Sequence, residues 1–198
     1  MSDSTPHHRL APPGAGIPAI ERLVGGGVLK IRRLLGTPAQ FTAHFERERR
    51  TIAGLCAGRD AISLGTRVLI PRLRGLEDSS RFWSAWMTLD HLRIVNDGIT
   101  GVIRELIQGR VPEGVASTAT VKPSEQVGCE IVAAYDASCD RLVQIVTSPP
   151  MRRTQRRYAH PWFGPLDAAG WHAMSAMHMG IHRAQIERIL RDACGRSA

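Results

Sequence analysis

Apolar and polar residues alternate with a helical period over most of the chain. The clearest case is Trp171 to Leu190, where Trp171, Met174, Met177, His178, Ile181, His182, Gln185 and Ile189 fall on one stripe. A second long helix is predicted to open at Asp78-Ser79-Ser80. Its stripe is Trp83, Met87, His91, Ile94, Val95, Ile99, Val102 and Leu106, and Gly109 ends it. A third runs from Ser124 to Val146, with Val127, Ile131, Ala134, Tyr135, Leu142 and Ile145 facing inward. Thr37-Pro38 is a good helix start, and a further helix runs from there to about Gly58. Its Glu46 and Glu48 alternate with Arg47, Arg49 and Arg50 on a solvated face.

Between these periods the chain is punctuated. Met1 to Pro18, rich in Pro, Ser and Gly, is expected to be disordered and includes His7 and His8. Ile20–Val24 and Val28–Leu35 are short amphipathic pieces, split by Gly25, Gly26 and Gly27. Three glycines in a row can cradle phosphate, but no Walker lysine-serine follows, so a hinge is expected. Pro71 and Gly75 break residues 59–76 into a short helix and a loop. Val111 to Thr120 is a loop, and Thr147 to Pro165 is a long proline- and arginine-rich connection. Asp167 caps the last helix, which runs to about Ala193. Four long amphipathic helices and no convincing strand predict an all-α fold, a four-helix bundle over residues 37–198. Residues 1–36 form an N-terminal tail with short helical pieces.

The totals narrow the function classes. The chain has 198 residues, 43% hydrophobic and 22% charged, which suits one globular domain. The formal net charge is +8, and lysine occurs only at Lys30 and Lys122. No nucleic-acid motif accompanies that charge, so a solvated arginine surface is the expected reading. Cys56, Cys129, Cys139 and Cys194 make neither a C-x-x-C nor a zinc-finger spacing and read as reduced cysteines of a cytoplasmic protein. The N-terminus lacks the layout of a signal peptide, and no run approaches the ~18 apolar residues of a membrane span.

The candidate chemistry lies on the stripes. His178 and His182 stand one turn apart on one face of the last helix, and such a pair can hold one metal ion between them. His91 is a third histidine on an apolar stripe. A histidine buried without a partner is costly, and three in one small bundle are easiest to explain together. Three neutral imidazoles with open positions match a catalytic metal site better than a closed structural one. Gln185, on the same stripe, is placed to orient an imidazole or bond a ligand. His160 is a candidate for the pocket mouth. Trp162 and Phe163 read as a plug over the bundle end, and Arg152, Arg153, Arg156 and Arg157 as a solvated loop able to steer an anion. His172, one residue off the stripe, is expected to be exposed. Asp90 should point about 100° away from His91, and Glu130 reads as a surface acid. No catalytic residue beyond the metal ligands can be named.

With those residues in view the sequence resembles the DinB/YfiT-like superfamily of bacterial four-helix-bundle proteins. The resemblance rests on His91 in LDHL, His178 and His182 in HMGIHRAQI, and the following glutamine. HPWFGPLDAAGW, from His160 to Trp171, resembles the segment before the last helix in one uncharacterised DinB-like branch. The resemblance implies a divalent metal, zinc or nickel, held by His91, His178 and His182, and a homodimer. It further implies a metal-dependent thiol transferase or hydrolase acting on a small molecule, with a low-molecular-weight thiol as a possible co-substrate. A non-catalytic metal or small-ligand binder, tied to stress, is the alternative. A nucleic-acid-associated bundle has only the charge in its favour.

Overall fold

The computed structural model describes residues 10–148 and 154–194. Helices α1 (Ala19–Leu35), α2 (Pro38–Cys56), α3 (Ala61–Gly65), α4 (Ala85–Ile107), α5 (Ile131–Thr147) and α6 (Ala168–Cys194) account for most of them. The long helices α2, α4, α5 and α6 form the bundle, and α1 packs outside it against α6. Their shared core includes Phe45, Ile52, Leu92, Ile103, Leu142, Met179 and Ile186, all fully buried.

The central element is α6. Every residue from Ala168 to Ala176 is buried, on all sides of the helix. Ala168, Ala169, Gly170, Ala173, Ser175 and Ala176 are small, which lets neighbouring helices approach closely. This is why His172, expected to be exposed, is fully buried: so enclosed a helix has no solvent side there. Asp167 caps α6, accepting from Gly170 N–H at 2.8 Å, and also pairs with Arg33 of α1 at 2.8 and 2.5 Å.

Several boundaries differ from the sequence expectation. The triple glycine does not divide α1, which runs through it unbroken. At Gly25 the missing side chain gives room to Phe163, whose ring would lie 3.3 Å from an added Cβ. The helix expected from Asp78 begins only at Ala85, capped by Ser84, whose hydroxyl accepts from Met87 N–H at 3.1 Å. Before it, residues 78–80 form one 3-10 turn, and Phe82–Trp83 (β2) pairs antiparallel with Val68–Leu69 (β1). α5 starts at Ile131 rather than Ser124, after two turns at 125–126 and 129–130, and the Glu130 carboxylate accepts from Gly128 N–H at 2.8 Å. α4 does end at Gly109, whose φ of 78° permits Arg110 N–H to reach the Glu105 carbonyl at 2.9 Å.

The structure also contains strands where none was expected. Besides β1 and β2, Tyr158–His160 (β3) pairs with Gly164–Leu166 (β4) in a hairpin that carries Pro161, Trp162 and Phe163 at its tip. Of the tail, Met1 to Arg9 lies outside the described residues, with His7 and His8. Residues 10–18 have no helix or strand but are tied down: Ala11 N–H donates to Asp78 at 2.7 Å and Gly16 N–H to Glu77 at 3.2 Å.

Candidate metal centre

α4 supplies His91 and α6 supplies His178 and His182. The helical stripes read from the sequence put all three on core-facing sides of their helices, and the structure brings them together. A ligating atom from each lies within 4.8 Å of the others. His91 Nε2 and His178 Nε2 are 3.2 Å apart, and the ring centroids are 4.4 to 5.1 Å apart. Nitrogens at ~2.1 Å from a tetrahedral ion are ~3.4 Å from one another, so the His91–His178 spacing already fits one ion.

Two of the imidazoles have their tautomers set by acceptors that cannot donate. His91 Nδ1–H donates to the Val121 carbonyl at 2.6 Å, leaving the Nε2 lone pair free. Gln185 Nε2 donates to the Ser80 carbonyl at 2.7 Å, which turns its Oε1 towards His182 and makes His182 Nδ1 the donor at 2.6 Å. His182 Nε2 is therefore also unprotonated. His178 differs: its Nδ1 is sealed from solvent without a hydrogen-bond partner. What points to a cation is the donor set: the unprotonated Nε2 atoms of His91 and His182 belong to one tight group with His178, whose Nε2 is the atom facing His91.

Burial is the main influence on these rings. It pushes His91 down to about 4, and lowers His178 and His182 well below the ordinary histidine value; the Lys122 ammonium adds to the effect at His91 and His182, and the mutual repulsion the rings would feel if charged adds to it at His178. All three are neutral at neutral pH, the form that binds metal. Trp83 walls the cluster, nearly parallel to His182 at 6.3 Å and tilted against His91 at 5.2 Å.

The cluster opens into a cavity of about 360 Å³ between α1, α4, α6, the loops at 75–80 and 116–122, and the β3–β4 hairpin. His160 lines it, as do Trp162 and Phe163, which are thus cavity wall as well as plug. His160 Nδ1 accepts from Trp162 N–H at 3.1 Å, so a neutral His160 carries its proton on Nε2; burial pulls it down to about 4. It stands outside the group of three. Asp90 is turned away as expected, bound to Arg93 and to Ser124 N–H at 2.9 Å. Glu130 is an exposed acid. Arg156 and Arg157 are exposed and do not line this cavity, and Arg152 and Arg153 lie outside the described residues.

Sequence reasoning missed Glu77 and Lys122. Glu77 is buried and lies between the N-terminal segment and the 117–122 loop. It accepts from Gly16 N–H, Thr118 Oγ1 at 2.8 Å and Lys122 Nζ at 2.8 Å. Burial raises its carboxyl, but Lys122 and Thr118 outweigh that and leave it below its ordinary value. Neither residue sits on a periodic segment, so the pattern could not have found them. That Lys122 is one of only two lysines was the single available hint.

No family model and no curated protein matches the chain. Among solved structures it is similar to TT2238, described as a four-helix bundle protein, with a TM-score of 0.55 and 20% identity. The match covers 76% of this chain and 98% of that one. At that identity the likeness concerns the fold: this chain is a helical bundle with a buried three-histidine group able to hold a metal ion.

Proposed function

We propose that the chain is a DinB-like protein that binds a divalent metal, zinc or nickel, through His91, His178 and His182, and acts as a metal-dependent thiol transferase or hydrolase. The observation that carries this reading is the convergence of three neutral imidazoles from α4 and α6 in the wall of a cavity. A divalent ion with open positions supplies a hydroxide or thiolate nucleophile at neutral pH. The chain's part is to keep His91 and His182 in the right tautomer, through Val121 and Gln185, and to exclude water with Trp83, Trp162 and Phe163. His160 holds a proton on Nε2 for a group bound in the cavity. The test is elemental analysis of purified protein, then turnover of a thiol with an electrophilic acceptor in wild type and in His178→Ala. Loss of metal and of turnover together in a folded variant is expected.

One observation favours the second reading, a non-catalytic metal or small-ligand binder linked to stress. Neither carboxylate lining the cavity is free to act as a base: Arg72 and Gly75 N–H hold Glu21, and Lys122 holds Glu77. Metal bound tightly with no turnover would select it.

The reading includes a homodimer and a cytoplasmic location. All four cysteines are unpaired, which supports the location, and no helix among the described residues is long and apolar enough to cross a membrane. The outer face of α1 supports the dimer. Ile20, Leu23, Val24, Val28, Ile31, Leu34 and Leu35 are exposed there, on one stripe. Seven exposed apolar residues on one face of a single helix are uncommon in a monomer and typical of a contact surface. The stripe is nearly symmetric about its middle: an antiparallel second copy sets Ile20 against Leu35 and Val24 against Ile31, with Gly27 beside Val28 at the two-fold axis.

A further inference from the structure

The cavity has few polar groups left to offer a ligand. Glu21 is held by Arg72 and by Gly75 N–H at 2.9 Å. Lys122 spends its three N–H groups on Glu77, Ser79 Oγ at 2.9 Å and Ser80 Oγ at 3.2 Å. Thr118 donates to Glu77 at 2.8 Å, Thr120 donates to the Ser117 carbonyl at 2.9 Å, and the Ser117 hydroxyl accepts from Ala119 N–H. The Trp171 indole N–H donates to the Tyr158 carbonyl at 3.3 Å. Among the described lining residues, the histidine cluster, His160 Nε2 and the Trp162 indole N–H are left for a ligand, with the spare hydroxyl capacity of Ser80, Ser117, Thr118 and Thr120 confined to the loop edge; the Tyr158 O–H donates to the Gly114 carbonyl at 3.4 Å. No free carboxylate faces an ammonium, and no free lysine or arginine faces a second anionic group. The opposite walls are apolar, from Ile94, Val95 and Ile99 on α4 and Met177 and Ile181 on α6, closed by Phe163.

We propose that this cavity takes an aliphatic or aryl chain with a single metal-ligating head group, and rejects a polyhydroxylated one. The head sits at the three histidines, one acceptor beside it takes the His160 proton, and the rest of the molecule is apolar. A sugar extending along the α4 and α6 walls would set several hydroxyls against apolar side chains that cannot pair them, each at a cost that apolar contact does not return. A cavity of about 360 Å³ lies at the small end of ligand pockets, which suits a chain of moderate length. The head-group part of this inference rests on the metal reading; the chain part rests on the cavity alone.

The experiment separates the two. Protein loaded with cobalt(II) is titrated with alkyl hydroxamic acids, from acetohydroxamic to octanohydroxamic acid, and followed by calorimetry and by the cobalt visible spectrum. Affinity is expected to rise by about fourfold per methylene until the cavity is full, as burial of ~0.8 kcal/mol per CH₂ requires. A hydroxamate carrying a sugar of similar size should bind no better than acetohydroxamate. Gly98→Leu supplies the control: Gly98 lines the cavity and an added Cβ meets nothing within 4 Å, so a new side chain there starts into open space. That variant should keep its metal and lose the gain from longer chains. Flat affinity along the series in metal-loaded wild type overturns the inference, as does equal binding of the sugar derivative. If cobalt does not bind at all, the metal reading fails. The chain arm is then decided on metal-free protein with 1-octanol displacing a solvatochromic dye; displacement by octanol but not by glucose is the expected result, and its absence overturns that arm too.

Discussion

The amide of Gln185 fixes the protonation of His182. Its Nε2 donates to the Ser80 carbonyl at 2.7 Å, so its Oε1 must face His182 Nδ1, 2.6 Å away. A main-chain oxygen on the 3-10 turn before α4 thus decides which nitrogen of a histidine on α6 is free. Gln185→Leu removes the acceptor and leaves both the Ser80 carbonyl and His182 Nδ1 unpaired. Metal affinity should fall 10- to 100-fold, read by competition with a chromophoric chelator. An unchanged affinity would mean that the amide has no part in ligation.

His91→Ala and His178→Ala should each abolish metal retention through dialysis against a chelator, with circular dichroism still helical. His172→Ala, on the same helix but outside the cluster, should retain the metal. Retention in either of the first two variants would sink the three-ligand site.

The buried His172 makes the fold sensitive to acid. Its Nδ1 has no partner, its Nε2 lies 3.3 Å from Thr42 Oγ1, and burial lowers its pKa to about 4. The unfolded chain, with the ordinary value near ~6.5, binds this proton at higher pH than the folded one. The stability contribution is therefore complete above pH ~6.5 and is lost as pH falls towards about 4, at up to ~1.4 kcal/mol per pH unit. His172→Gln should flatten the pH dependence of the urea midpoint by one proton's worth across this window. An unaltered slope would refute the assignment.

Asp167 holds the first turn of α6 and the Arg33 guanidinium of α1 together. Arg33→Ala leaves a buried carboxylate, 1% exposed, with its cap contact and the more distant charge of Arg157. The loss should be ~2–3 kcal/mol, less than for a fully enclosed pair because Arg33 is itself partly exposed. Asp167→Asn keeps an N-terminal cap and should cost less than Arg33→Ala. Denaturant unfolding of both variants checks the order.

Ile31→Asp places a carboxylate near the middle of the apolar face of α1, on both sides of a two-fold contact. If that face joins two copies, dissociation should become easier by at least about 30-fold, the equivalent of a ~2 kcal/mol hot spot. Light scattering should then move from twice the 21.7 kDa chain mass to the chain mass itself. A wild type that is monomeric at all concentrations removes the dimer. Binding of monomer to anionic vesicles would assign the face to lipid instead.

The bundle and the histidine cluster were legible in the sequence for one reason. Both depend on the 3.6-residue period, which α4 and α6 display over five or more turns, so that His91, His178 and His182 could be placed on inner faces before any contact was known. What was not legible depends on two or three residues at a time. The strands Val68–Leu69 and Tyr158–His160 are too short to show alternation. The glycines of α1 look like a hinge until Phe163 is seen lying against them. His172 was misplaced because α6 is enclosed on every side where it enters the bundle, and stripe reasoning assumes a helix with a wet face. Glu77 draws together segments whose sequence separation exceeds forty residues, and nothing in its own neighbourhood announces that.

The partner of His91 Nδ1 is the carbonyl of Val121, not a side chain. Substitution at residue 121 changes what hangs from the backbone and leaves that oxygen in place. A mutational scan would therefore score the position as tolerant, and lineages could drift there freely while the histidine stays oriented. Only an insertion, a deletion or a proline that shifts the loop would expose the dependence.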